Sequence, residues 1–185
     1  MVNLFGHDVF TVKDIVAVSN AHASQMRGTY RVRYAFGGAY DHDPYHGAQL
    51  DRPAAFKGND PDGVYPWEQL LTAAVQCAGS DYPMIADHWG IPLEAVEVVL
   101  EAVFDPRGEF AGLDPTAKDV PGAPNSYQSF RWTATLTSTA PKADLERLHK
   151  RVLSHNMVLN ALRAVPITAD LKVRVPAPMQ ARHAR

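Results

Sequence analysis

The sequence predicts a single α+β domain, and three observations carry that prediction. Several stretches place apolar residues at every second position, the period of a strand with one face buried. Two others space them at three and four, the period of a helix with one buried face. Strands and helices fall in separate groups without strict βα alternation, which favours an antiparallel sheet. At 185 residues and 46% hydrophobic composition, the chain has material for one sizeable core. One domain over 1–185 is expected, with its core at about 29–175 and extensions at both ends.

Taken in order, residues 12–18 predict a short helix. Residues 29–36 alternate, with Tyr30, Val32, Tyr34 and Phe36 on one side and Arg31 and Arg33 on the other. Gly37-Gly38 ends that strand. Residues 40–65 are crowded with Asp, Gly and Pro and predict a long ordered loop holding one short strand. Pro66 opens a helix with Glu68 in its first turn, where the helix dipole favours an acid. Leu70, Leu71, Ala74, Val75 and Ala78 give this helix an apolar face, and it is expected to run to Trp89 and stop at Gly90. Pro83 inside it predicts a kink, because its ring removes a hydrogen bond and crowds the preceding turn. Residues 93–104 alternate again, Asp105-Pro106-Arg107-Gly108 reads as a turn, and 127–137 alternate Phe130, Trp132, Ala134 and Leu136 against Arg131 and threonines. Thr139 is placed to cap a helix from about 141, with Leu145, Leu148 and Val152 inward. Residues 166–175 predict a last strand, and 176–185 a frayed tail.

Several function classes are disfavoured. The net charge of −2 and pI of 6.4 provide no field for nucleic acid or anionic lipid. Residues 1–10 lack the pattern of a signal peptide, and no apolar run approaches the ~20 residues of a membrane span. A single cysteine forms no internal disulfide and suits a reducing cytoplasm, the expected location. His42 and His46 stand in Asp41-His42-Asp43-Pro44-Tyr45-His46 at i and i+4, but Pro44 and the loop context spoil the helical face such ligands need. No metal site is expected. No glycine loop has phosphate-binding spacing, so no cofactor is expected either, and Trp67, Trp89 and Trp132 read as core or interface aromatics.

The segment from Pro66-Trp67-Glu68 through Leu70-Leu71, Ala73-Ala74 and Cys77 resembles the "P-x-E-L-L-x-A-A-x-x-x-C" helix of the OsmC/Ohr family. The resemblance continues through His88-Trp89-Gly90-Ile91 and the strand and turn ending at Asp105-Pro106-Arg107-Gly108. Upstream, Leu50-Asp51-Arg52-Pro53 and Lys57-Gly58-Asn59-Asp60 are similar to the family's approach to that helix. The ordered series spans about 29–175. It implies an intertwined homodimer, with antiparallel sheets wrapping central helices, and a reactive cysteine near the dimer interface that reduces peroxides.

Cys77 is then the residue on which redox chemistry depends. Peroxide reduction needs a thiolate, which a neighbouring cation favours, and leaves a sulfenic acid for another thiol to resolve. Unpaired cysteines, however, often merely pack. In the family an arginine near the N-terminal strands and the glutamate of "P-x-E" assist the cysteine. Glu68 matches that glutamate, yet it lies ~13 Å from Cys77 along a straight helix, so an arginine bridge, a bend or the partner chain would have to connect them. Arg33, then Arg31, are the candidate arginines, although a solvated strand face also accounts for both. Two-cysteine members carry a resolving cysteine in a "C-P-V" box, where this chain has Asn156-Met157-Val158. Asparagine forms no disulfide, so an intramolecular two-cysteine cycle is excluded.

Asp81, four residues past Cys77, shares its helix face, and a carboxylate there opposes the thiolate. His155, next to Asn156, is a candidate base or cation toward Cys77. Three readings follow. The first is a cytoplasmic, homodimeric one-cysteine peroxidase that acts on organic hydroperoxides with an external thiol reductant. The second is another enzyme class using Cys77 with His155 or Asp81 on a small metabolite. The third is a non-catalytic binder of an apolar small molecule at the dimer interface.

Overall fold

In the computed structural model of the chain, residues 28–36, 49–51, 66–106 and 126–176 are described. The expected helix at 12–18, Gly37-Gly38, His42 and His46, Lys57-Gly58-Asn59-Asp60, the end of the turn at Arg107-Gly108, and 177–185 of the expected tail lie outside those residues.

The period-two pattern of the first strand, β1 (Gly28–Phe36), has the consequence expected of it. Tyr30, Val32 and Tyr34 are buried, while Arg31 and Arg33 emerge on the opposite face. A short β2 (Gln49–Asp51) pairs with it antiparallel. Helix α1 (Pro66–His88) follows, then β3 (Ala95–Asp105) and β4 (Ser126–Thr137). Helices α2 (Lys142–His155) and α3 (Met157–Ala161) precede β5 (Ile167–Arg174).

The strands form one five-stranded sheet, ordered β2-β1-β3-β4-β5. The first three pairings are antiparallel, as expected, but β4 and β5 run parallel. The reason is the connection: α2 and α3 carry the chain back across the sheet before β5 begins, the crossover that parallel neighbours require. The core lies between the sheet and the helices. Leu71, Ala74, Val75, Ala78, Tyr82 and Ala86 of α1 and Leu145, Leu148 and Val152 of α2 meet Tyr30, Val32, Val98, Leu100, Trp132 and Leu136 of the sheet.

Three local features position the site. Pro83 costs α1 one hydrogen bond, yet the helix continues to His88 as one element. It closes at a glycine, where Gly90 takes φ +66°, with Gly90 N–H donating to Asp87 carbonyl (3.1 Å) and Ile91 N–H to Ala86 carbonyl (2.8 Å). These are the paired bonds of a Schellman cap, with buried Ile91 as its apolar anchor. The expected Thr139 cap of α2 is corrected: Pro141 is the N-cap and makes no side-chain cap bond. Ser138 orders the approach instead, accepting from Ala140 N–H at 2.9 Å and donating to the carbonyl of Pro92.

Candidate functional site

Cys77 sits in α1 on the stripe that continues through Asp81, Met84, Ile85 and His88 at helical spacing. This stripe forms one wall of an open cavity of about 510 Å³. Trp89, held where α1 ends, also lines it. The opposite wall is the end of α2 and the start of α3: Arg151, His155, Asn156 and Met157. Cys77 is partly exposed and lines this cavity.

Asn156 joins α2 to α3 and is 2% exposed. Its extended backbone donates N–H to Val152 carbonyl (2.9 Å), ending α2. Its side-chain Oδ1 accepts from Leu159 N–H at 2.9 Å, which caps α3. With the oxygen so engaged, the amide can turn only its Nδ2 toward α1. That nitrogen donates to Cys77 Sγ at 3.2 Å and to Asp81 Oδ2 at 2.7 Å. Both receivers are acceptors, so the orientation of the amide is consistent at all three contacts.

The site residues expected from sequence divide into two sets. Cys77, Asp81 and His155 are brought together at the cavity, and Asn156 occupies the place at the sulfur that its position in the motif implies. His155 is exposed and shares a 2.6 Å hydrogen bond between Nδ1 and Ser154 Oγ. Glu68 is not at this cavity. It is fully buried in the first turn of α1, close enough to Tyr127 to push that hydroxyl's pKa up, after burial and Tyr30. Around it, Trp67 stacks on Phe104 at 5.8 Å and Tyr127 O–H donates to Trp67 carbonyl. Arg31 and Arg33 lie on the sheet face turned away from α1, and Arg33 Nε pairs with Glu97 Oε1 at 2.5 Å. Within one chain, neither arginine lines the cavity.

Sequence reasoning missed Arg151, the guanidinium that does line it. It stands four residues before His155, so extending the helix face by one turn reaches it. One turn further back, Arg147 lies over the Trp89 ring at 4.9 Å from its centroid. No group of three or more metal-ligating side chains occurs among the described residues.

The family model described as OsmC-like protein matches residues 58–170. No curated protein matches the chain. Among solved structures, a hypothetical protein from Aquifex aeolicus VF5 superposes with a TM-score of 0.50 at 15% identity, covering 63% of this chain and 78% of its own. An OsmC like protein from Mycoplasma pneumoniae gives 0.49 at 10% identity, covering 78% and 96%. The organic hydroperoxide resistance protein OsmC from Legionella pneumophila gives 0.43 at 15% identity, covering 80% and 96%.

Proposed function

The chain belongs to the OsmC-like protein family, and from that premise we propose that it is a thiol-dependent peroxidase that reduces organic hydroperoxides with one cysteine. The observation that carries this reading is a partly exposed Cys77 lining an open cavity, its sulfur held by an amide donor. The Cys77 thiolate attacks the terminal oxygen of R–O–O–H. The S–O bond forms as the O–O bond breaks, and the alkoxide leaves and takes a proton from water. Sulfur is oxidised by two electrons to the sulfenic acid, and the peroxide is reduced to the alcohol. With asparagine at 156 and no other cysteine in the chain, an external thiol attacks the sulfenic sulfur and releases water. A second external thiol then frees Cys77.

Met84, Ile85, Trp89 and Met157 supply an apolar wall for an alkyl group. Arg151 takes over the cationic role first assigned to Arg33 or Arg31, and Glu68 is left outside the mechanism. Met84 and Met157 are 63% and 77% exposed at the cavity rim, which supports a second copy of the chain closing over it, in the intertwined dimer the family resemblance implies. A cytoplasmic location is part of the same proposal. No helix among the described residues is long and apolar enough to cross a membrane.

The Asp81 carboxylate beside the cysteine favours a second reading, in which Cys77 serves acyl or alkyl transfer on a small metabolite with His155 as base. One experiment separates the two. Reduced protein mixed with cumene hydroperoxide is expected to gain one oxygen at Cys77 by intact mass and to release cumyl alcohol. Cys77→Ser should do neither. A wild-type thiol left unoxidised by excess hydroperoxide would reject the peroxidase reading.

A further inference from the structure

The peroxidase reading leaves one problem at the sulfur. A sulfenic acid that no second cysteine captures stays exposed to another peroxide, which adds a second oxygen and gives the irreversible sulfinic acid. The residues around Cys77 address this oxidised state more directly than the thiol. Asn156 Nδ2 lies 3.2 Å from Sγ and 2.7 Å from Asp81 Oδ2, so one amide nitrogen bridges the sulfur and the carboxylate one helical turn away.

We propose that Asn156 and Asp81 hold the Cys77 sulfenic acid in its protonated form and protect it from over-oxidation until an external thiol arrives. This rests on the peroxidase reading and extends it. Once S–O–H has formed, its oxygen accepts from the Asn156 amide, and its proton is donated to the Asp81 carboxylate. The first bond withdraws electron density from the oxygen lone pairs. The second keeps the proton in place, because a sulfenate anion beside Asp81 sets two negative charges together. The protonated acid is the poorer nucleophile toward a second hydroperoxide. Its sulfur remains open to a thiol, whose attack forms an S–S bond and releases water. Asn156 serves as the positioning residue: Leu159 N–H fixes its oxygen, so its nitrogen cannot turn away.

Asn156→Ser tests this while keeping a hydroxyl oxygen that caps α3. Asp81→Asn, on a partly exposed position, removes the charge at nearly constant size. Each reduced protein is treated with excess cumene hydroperoxide, and the species carrying one and two added oxygens are followed by mass. The ratio of the second oxidation rate to the first should rise roughly three- to tenfold in either variant, the size set by one hydrogen bond. Simple structural loosening would change both rates together and leave the ratio in place. Ratios equal to wild type in both variants would overturn the inference, even with the first oxidation intact. A wild type that goes straight to the doubly oxidised species would overturn this inference alone, and one that gains no oxygen would overturn the peroxidase reading with it.

Discussion

Arg151 shares the cavity with Cys77 from the exposed face of α2, so its influence on the sulfur is one of charge in water. Exposed charges act weakly, and salt screens them within a few ångströms at high ionic strength. Arg151→Ala should therefore slow labelling of Cys77 by the anion iodoacetate about two- to fivefold relative to neutral iodoacetamide. That difference should disappear in concentrated salt, and equal slowing of both reagents would rule out attraction of the anionic reagent, leaving an effect on the thiolate fraction alone. At this scale the sequence was legible wherever one helix face settled the matter. Cys77 is the lone cysteine, Asp81 follows one turn later, and the motif position brought out Asn156. Arg31 and Arg33 could not be settled that way, because the pleat of β1 carries both to the face away from α1, where Arg33 meets Glu97. Glu68 lies away from the Cys77 cavity within one chain, as the axial rise anticipated. Its burial beside Tyr127 depends on the distant strand β4, about which local pattern says nothing.

Helix α1 and strand β1 approach each other through Gly79. A Cβ placed there would meet Tyr34 Cε1 at 2.7 Å and overlap Cδ1 of the same ring more closely still. Tyr34 is itself 2% exposed and packed on all sides. Alanine normally improves a helix interior by about 0.5–1 kcal/mol over glycine, but over-packing a core costs about 1–3 kcal/mol. Gly79→Ala should therefore lower stability, seen as a reduced urea midpoint. Because Cys77 lies half a turn away, its alkylation rate should change as well. A midpoint at or above wild type would show that the tyrosine ring yields freely. Strand and helix periodicities were readable because each repeats along its own segment, and β1, α1, β3, β4 and α2 follow them closely. The direction of β5 was not readable, since alternation looks the same in parallel and antiparallel strands. Nor was the start of α2, where Ser138 bonds to Pro92, 46 residues earlier in the chain, and no side chain caps the helix.

At the scale of the whole molecule, a buried polar contact within the core couples α1 to α2. Tyr82 of α1 and His149 of α2 meet at 2.7 Å between the hydroxyl and Nδ1, with their rings stacked at 6.1 Å. Burial pushes the Tyr82 pKa far up, so the hydroxyl keeps its proton, and the imidazole tautomer decides which partner donates. The other ring nitrogen, Nε2, is buried without a hydrogen-bond partner among the described residues, so a second ring proton would have no acceptor there. Burial lowers the His149 pKa, and Asp170 opposes that shift only in part. Below the ordinary histidine value of about 6.5, the unfolded chain therefore binds a proton that the folded chain refuses. Stability should hold above that pH and fall as pH drops through it, until the lowered folded pKa is reached. His149→Gln keeps a hydrogen-bonding partner for Tyr82 but does not titrate. Its urea midpoint should drop less than that of wild type between pH 8 and pH 5.5, whatever the other histidines contribute to both proteins. Equal losses in the two would mean that the acid sensitivity of this fold originates elsewhere, and that protonated His149 is accommodated within the core.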